Sequence, residues 1–279
     1  MAGSGAGDGV GGGSGERVPV GGAGEGGPVG GAGEGGPVGG AGGGSRVPGE
    51  RKRRRPTRSG VVLSAERILD RALEIVDAYG AEALTMRKLG QALGADPSAV
   101  YRYFRSVEDL HLAMGDRLIG DTMAGFVPDP DPANWRASLR EFGVRAYHSA
   151  QRHPRVALLS GFRVTRRPHE QRAIDTGVGL LRSAGFDDAS AVRYYHAFVD
   201  TVLGHAALDA AVQGLRPEQQ EADAGAWASA AYGDVPAEEY PHLHAVRDHL
   251  PMMAGSAFEG ALDLVLAAIA AAAPGAADD

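Results

Sequence analysis

The chain has 279 residues, of which 43% are hydrophobic and 23% charged, and its formal net charge at pH 7 is −7. The absence of cysteine excludes disulfide bonds, thiolate catalysis and zinc sites built on cysteine. No apolar run approaches the roughly 18 residues of a membrane span, and no secretory signal pattern is present, so we expect a cytoplasmic protein without a membrane partner.

The N-terminal region is dominated by glycine. Residues 1–50 hold 24 of the chain's 43 glycines, and residues 12–47 form four nine-residue repeats, from GGSGERVPV to GGAGGGSRV. No repeat offers an apolar face that stacking could bury, so the sequence predicts a disordered tail over residues 1–58. The tail ends in a basic arm, residues 51–58, with six cations among eight residues.

Charge is distributed unevenly along the chain. Residues 51–120 carry 13 Lys and Arg against 9 Asp and Glu, which makes this segment net +4 and the remainder net −11. A basic segment attached to an acidic body indicates a protein in which one part binds nucleic acid and the other does not. The arm then either contacts phosphates or enters a minor groove, or it is only a solvated run of charge.

From Leu63 onward, apolar residues recur at helical spacing, and polar residues that can cap a helix mark four starts. Glycines follow the first two of these helices, and a proline opens the third. The predicted helices run from Ser64 to Gly80, from Thr85 to Gly94, from Asp96 through Val100, Tyr101 and Phe104, and from Val107, after Ser106, to about Ile119.

The remainder of the chain is also predicted to be helical, because no stretch alternates apolar and polar residues long enough to form a strand. The fold class is therefore all-α, with a small N-terminal domain over 59–120 and a larger one over 130–275. The predicted later helices are Trp135–Gln151, Arg155–Phe162, Glu170–Ala184, Ala189–Val212, Glu218–Ala231 and Ser256–Ala273.

The second and third helices are joined by a tight glycine turn, the arrangement of a helix-turn-helix whose second member can lie in the major groove. We expect this DNA-binding unit to extend from Leu84 to Tyr103. Val100 and Phe104 are spaced to point inward. The residues left on the outer surface are Ser98, Ala99, Tyr101, Arg102 and Tyr103. The alternative to a DNA-binding unit is an ordinary corner between two packed helices, in which the tyrosines are half-buried in the core.

Residues 63–118 resemble the DNA-binding domain of the tetracycline-repressor (TetR) family. The resemblance is carried by the first helix, Ser64–Tyr79, by Gly80 to Leu89, by Leu93-Gly94, by Val100 to Phe104 and by Glu108-Asp109-Leu110. It implies that Thr85, Arg87 and Tyr101 contact phosphate, that Arg87 also reaches a base, and that Ser98, Ala99, Arg102 and Tyr103 face the groove. Many members begin the fourth helix with a lysine, where this chain has Val107. Arg105, or Arg53, Arg54, Arg55 and Arg58 of the arm, would replace that charge.

The body resembles the C-terminal domain of the tetracycline-repressor subclass, through Arg152-His153-Pro154, Arg166-Arg167-Pro168, residues 180–186 and residues 258–264. The resemblance implies a homodimer in which Ala189–Val212 and Ser256–Ala273 pair with their counterparts. A palindromic operator needs two reading helices about one turn of DNA apart. This need favours pairing of the two helices across a dimer interface over their burial in the core of one subunit.

The same resemblance implies a ligand pocket between the central helices. Tetracycline-binding members have a histidine five residues before the proline of the Arg-Pro pair, where this chain has Arg163, which argues against a magnesium–tetracycline ligand. The residues predicted to reach the pocket are Tyr147, His148, Phe162, Arg163, Tyr194, His196 and Asp200.

The sequence therefore predicts a nucleoid-associated regulator of transcription, a repressor released from double-stranded DNA by a small-molecule effector, with no cofactor and no catalytic activity. A ligand-independent DNA-binding protein and an activator remain alternatives. A metal-dependent enzyme is a further one, because His242, His244 and His249 cluster with Glu238, Glu239 and Asp248 in a predicted loop.

Overall fold

A computed structural model describes residues 62–274, and every regular element in this range is helical. The predicted all-α class is confirmed for these residues. The predicted tail, the basic arm and the first domain boundary lie outside them. The N-terminal part contains α1 (Ala65–Tyr79), α2 (Met86–Ala92), α3 (Pro97–Tyr101) and α4 (Val107–Met123).

Each of these four helices begins at the predicted cap. The first backbone N–H groups of a helix lack intrahelical acceptors, and a side-chain oxygen satisfies one of them. The acceptors are Ser64 Oγ for Arg67 N–H (3.3 Å), Thr85 Oγ1 for Lys88 N–H (3.1 Å), Asp96 Oδ1 for Ser98 N–H (2.8 Å) and Ser106 Oγ for Asp109 N–H (3.0 Å).

The ends of α3 and α4 differ from the prediction. The third helix stops at Tyr101, and the backbone N–H of Phe104 closes a turn onto the Val100 carbonyl (3.1 Å). Phe104 is nevertheless buried, as predicted. The fourth helix continues a full turn past Ile119. Thr122 is buried on the same helix face as Leu118, and its hydroxyl donates to the Leu118 carbonyl (3.1 Å).

The body follows the predicted helices closely up to residue 213 and again from residue 258. Its segment between these points differs: the single helix predicted there is two, and the predicted histidine-bearing loop is helical. The helices are α5 (Trp135–Arg152), α6 (Pro154–Ser160), α7 (Pro168–Ser183), α8 (Asp188–Gln213), α9 (Pro217–Ala226), α10 (Ala230–Gly233), α11 (Pro241–Val246), a 3₁₀ helix (Arg247–Ala254) and α12 (Phe258–Ala271).

Two clusters of buried side chains form the core. The first joins α1 to α4 through Ile68, Leu89 and Met114, and it takes in Val156 of α6. The second lies in the body and joins α5, α7, α8 and α12, with Phe198 among its fully buried members. The helix-turn-helix therefore rests on the body through α4 and α6, and the described residues belong to one compact unit.

Within residues 62–274, no single helix is both long and apolar enough to cross a membrane. The bent pair of Pro241–Ala254 and Phe258–Ala271, which meet at 104°, reaches that length and composition only when the two are taken together.

The crossing of α7 and α8 depends on a glycine. Gly177 is buried, and a Cβ at this position would lie 2.2 Å from Cε2 of Tyr195. We expect Gly177→Ala to lower the free energy of unfolding by about 1–3 kcal/mol relative to Gly179→Ala, because overpacking strains a filled core. Gly179 lies on the same helix with nothing within 4 Å of its Cβ position. Its replacement should stabilise by about 0.5–1 kcal/mol. Urea unfolding compares the two, and equal stabilisation would contradict the crossing described.

Candidate nucleic-acid interface

The turn between α2 and α3 is tight. Gly94 has φ +62°, in the left-handed region that favours glycine, and the N–H of Ala95 donates to the Gly90 carbonyl (2.9 Å). A Cβ on the buried Gly90 would lie 3.0 Å from the oxygen of Ala95. The two helices therefore approach each other as those of a helix-turn-helix do.

One face of α3 is free of the core. Val100 is fully buried beneath it, whereas Ser98 and Arg102 are exposed and Tyr101 is 52% exposed. Ala99 is half-buried at its edge. Small residues at the start of the helix leave room for close approach to base edges, and the guanidinium of Arg102 can donate two hydrogen bonds to a guanine.

Further polar groups surround this face. Thr85 and Arg87 are exposed at the start of α2, and Arg105 is exposed in the turn after α3. Contacts from such side chains to DNA phosphates fix the register of a helix on the duplex without reading the base sequence.

Leu84, the predicted first residue of the DNA-binding unit, does not belong to the exposed surface. It lies between a short 3₁₀ helix, Ala81–Ala83, and α2. Its backbone N–H ends the 3₁₀ helix by donating to the Ala81 carbonyl (2.9 Å). Its side chain is only 3% exposed and lies in the first core cluster. The predicted unit, Leu84 to Tyr103, thus begins with an apolar side chain that is buried against α1 to α4, and its exposed surface starts at Thr85.

Tyr103, the predicted last residue of the unit, is also placed differently from the prediction. Its hydroxyl donates to the Leu63 carbonyl (2.6 Å), and its half-buried ring packs on the first core cluster. The side chain thus connects Leu63, which precedes the N-cap of α1, to the turn after α3 and is not positioned to read bases. Val107, where many relatives have a lysine, is half-buried against the same cluster and supplies no charge. Arg53, Arg54, Arg55 and Arg58 lie outside the described residues.

Comparison with known families agrees with this geometry. The family model described as bacterial regulatory proteins, tetR family, matches residues 68–114. A second model, described as the tetracyclin repressor-like C-terminal domain, matches residues 127–273, more than half of the chain. The chain belongs to the tetR family. Both parts of the predicted resemblance are thereby confirmed.

Individual tetR relatives are distant. The HTH-type transcriptional repressor DrrR1 of Streptomyces coeruleorubidus is 28% identical over 145 residues, which are 50% of this chain and 51% of that protein. An HTH-type transcriptional repressor of Mycobacterium tuberculosis is 28% identical over 167 residues, 58% of this chain and 62% of that protein. The crystal structure of ActR from Streptomyces coelicolor in complex with actinorhodin has a TM-score of 0.67 at 25% identity, covering 77% of this chain and 98% of ActR.

The structure does not bring the seven predicted pocket residues together. Tyr147 stacks on Phe258 with ring centroids 3.9 Å apart, beside the exposed His148. Its hydroxyl donates to Asp209 Oδ2 (2.6 Å), and burial raises the pKa of Tyr147. Tyr194 instead packs against Phe186, 5.1 Å between centroids. Nothing in the sequence signalled the partner of Tyr147, Asp209, which lies 62 residues further along the chain.

The other four predicted pocket residues face outward. Phe162 is 77% exposed in the connection between α6 and α7, and the exposed Arg163 pairs with Glu108 of α4. His196 and Asp200 form an exposed i,i+4 pair on α8 (Nε2 to Oδ2, 3.2 Å). These side chains are directed away from the interior, so their predicted place in a cavity is not what the structure shows.

A shallow, open groove lies elsewhere in the body, between α7 and α8. It contains none of the seven predicted residues. Its lining is Gln171, Ile174, Asp175, Val178, Gly179, Arg182 and Val192.

The predicted histidine cluster lies on helical segments of the body. His242 and His244 lie on the short α11, and Nδ1 of His244 is 3.1 Å from the Val235 carbonyl. Among residues 62–274, no group of three or more His, Asp or Glu side chains is placed to hold a metal ion.

Proposed function

We propose that this tetR-family protein is a transcriptional repressor that binds a palindromic DNA operator as a homodimer and is released by a small-molecule effector. The observation that carries the proposal is the outer face of α3, where Ser98 and Arg102 are exposed above a buried Val100 and Ala99 lies half-buried at the edge. The repressor names of the two curated relatives support it. We further propose that it acts in the cytoplasm, at the nucleoid.

The proposed DNA contacts divide into two sets. Arg102, with Ser98 and Ala99, reads base edges, because a helix lying in the major groove presents the start of its outer face to the base pairs. Thr85, Arg87, Tyr101 and Arg105 position the helix through phosphates, with Arg87 also within reach of a base.

The proposed dimer surface consists of the exposed stripes of α8 and α12. On α12 the exposed residues Gly260, Leu264, Ala267, Ala268 and Ala271 recur at helical spacing. On α8 the corresponding stripe contains Ala197, Gly204, Leu208 and Ala211 and also the His196–Asp200 pair. Small side chains allow two helices to approach closely while the leucines bury apolar area. A second copy fits such a surface because a two-fold interface uses the same patch from both subunits.

For the effector, we propose a compound that binds in the body between α5, α7 and α8, the helices that the family resemblance places around a pocket. ActR, a structural neighbour, binds actinorhodin, which supports a small-molecule effector for this chain. Effector binding would favour a dimer in which the two α3 helices no longer fit successive major grooves.

Selection of bound sequences from random DNA tests the central proposal. We expect an inverted repeat with half-site centres one helical turn apart, about 10 base pairs. Recovery of no preferred sequence would contradict it. A gel shift that no small molecule relieves would favour the ligand-independent alternative, expression from the operator that rises with the protein would indicate an activator, and stoichiometric zinc retained through dialysis would favour an enzyme.

The arm supplies a separate prediction. Deletion of residues 1–50 should barely change operator affinity, since that segment has few cations. Deletion of residues 1–58 also removes six cations, so affinity should fall and the log–log salt dependence should flatten by about 0.9 for each phosphate that the arm no longer neutralises. Binding titrations at several salt concentrations measure both slopes. Identical slopes would mean that the arm is only a solvated linker.

A further inference from the structure

An acidic pair begins α4 directly after the reading helix. Residues 102–106 are all that separate α3 from α4, and Glu108 and Asp109 lie in the first turn of α4. Asp109 closes this connection from both sides. Its backbone N–H donates to Ser106 Oγ (3.0 Å), and its Oδ2 accepts the backbone N–H of Arg105 (2.9 Å). The position of Asp109 therefore fixes the turn that follows α3.

Two arginines from the connection between α6 and α7, residues 161–167, bind this acidic pair. Arg163 Nη2 lies 2.5 Å from Glu108 Oε1. Arg167 Nη2 lies 2.5 Å from Asp109 Oδ1 and also donates to the Asp109 carbonyl (3.1 Å). The side chains of Arg167 and Asp109 are only 29% and 30% exposed, so water screens this charge-assisted pair less than a fully exposed one. We call these two ion pairs the α4 clamp.

The connection that carries the arginines has a defined shape of its own. Arg166 adopts φ +58°, a conformation that is unfavourable for a residue with a side chain. The Glu170 carboxylate holds it there by accepting the backbone N–H groups of Thr165 (2.9 Å) and Arg166 (2.7 Å). The buried Asp116 accepts the N–H of Glu170 (3.0 Å), about two helical turns beyond Asp109. The connection and the start of α7 are thus attached to α4 at two separated points.

We propose that the residues of the α4 clamp are positioning residues for operator recognition. They fix the α2–α3 unit relative to the body, and the body carries the proposed dimer helices α8 and α12. The clamp thereby sets the distance between the two reading helices of a dimer. This inference rests on the proposed function. Preorganised spacing lowers the entropy lost when both half-sites are bound, whereas one half-site alone gains nothing from it.

The test compares operators that differ only in half-site spacing. The variants are Glu108→Arg, Arg163→Glu, the double swap of both, and Arg167→Gln, which leaves the bonds of Asp109 to Ser106 and Arg105 in place. Each is titrated against the selected operator and against one with a single base pair inserted at its centre. We expect each single variant to bind the selected operator about fivefold more weakly or worse and to lose preference for its spacing. The double swap should restore both.

Arg182→Gln is the matched control. It removes an exposed arginine that pairs with Asp188 inside the body, so affinity and spacing preference should equal those of the unmodified protein. If the single variants keep the full spacing preference, the proposed role of the clamp is wrong. The proposal that the protein binds an operator would not be affected by that result. A loss that the double swap does not repair, accompanied by a lower melting temperature, would assign the effect to folding and overturn it as well. Failure of the unmodified protein to select any DNA sequence would instead overturn the proposed function, on which the clamp rests.

Discussion

Leu264→Glu is expected to convert the protein to monomers and to abolish operator binding while helical content persists. Leu264 is 74% exposed in the single subunit, so the substitution leaves the subunit's own core untouched. In the proposed dimer, both glutamates would be desolvated within a largely apolar interface, at a penalty of several kcal/mol for each ion. Sedimentation at micromolar concentration and circular dichroism measure the two properties.

Val127→Glu is a suitable control for this variant. It places the same charge at an apolar residue of similar exposure, 81%, in the connection before α5 and outside the proposed interface. We expect it to remain dimeric and to bind the operator normally. Leu203 of α8 is half-buried and is less suitable for this test, because a charge there also disturbs the subunit. An unmodified protein that sediments as a monomer would contradict the assembly.

Arg102→Ala is expected to weaken binding to the selected operator by about 1–3 kcal/mol if the guanidinium makes a bidentate contact to guanine. Affinity for random DNA should fall much less, because that affinity depends on phosphate neutralisation. Fluorescence anisotropy with both DNAs measures the difference. Arg172→Ala, an exposed arginine of α7 far along the chain from the reading helix, serves as the control and should change neither affinity.

Equal losses on operator and random DNA would show that Arg102 contacts only phosphate. The reading of bases would then have to come from Ser98, Ala99 and Arg87.

The starts of the first four helices could be predicted because each depends on a local interaction. A Ser, Thr or Asp that accepts an N–H two or three residues later is visible in the sequence itself. The role of Tyr103 could not be predicted in this way. Its hydroxyl bonds to the carbonyl of Leu63, forty residues earlier, and no periodicity encodes a contact over that separation.

Four of the seven predicted pocket residues lie on the surface for a different physical reason. Apolar residues occur on all sides of α8, so the sequence does not indicate which of its faces is buried. The residue types of His196 and Asp200 suit a ligand contact, but the rotation of the helix places both side chains on the exposed stripe. Arg163 and Phe162 follow the end of α6, where the direction of the chain is set by the hydrogen bond from Thr165 of the connection to Glu170 of α7.

The residues that anchor α3 in the core differ from those that face DNA in the proposed complex, and this difference affects how new binding specificities arise. Val100 and the nearby Phe104 anchor this five-residue helix, while the side chains of Ser98 and Arg102 lie outside the buried core. Surface substitutions away from packing and capping features usually change stability by less than about 0.5 kcal/mol. Descendants of this protein can therefore exchange Arg102 for another base-reading side chain without a compensating change in the core. The target sequence is free to diverge faster than the scaffold that presents it.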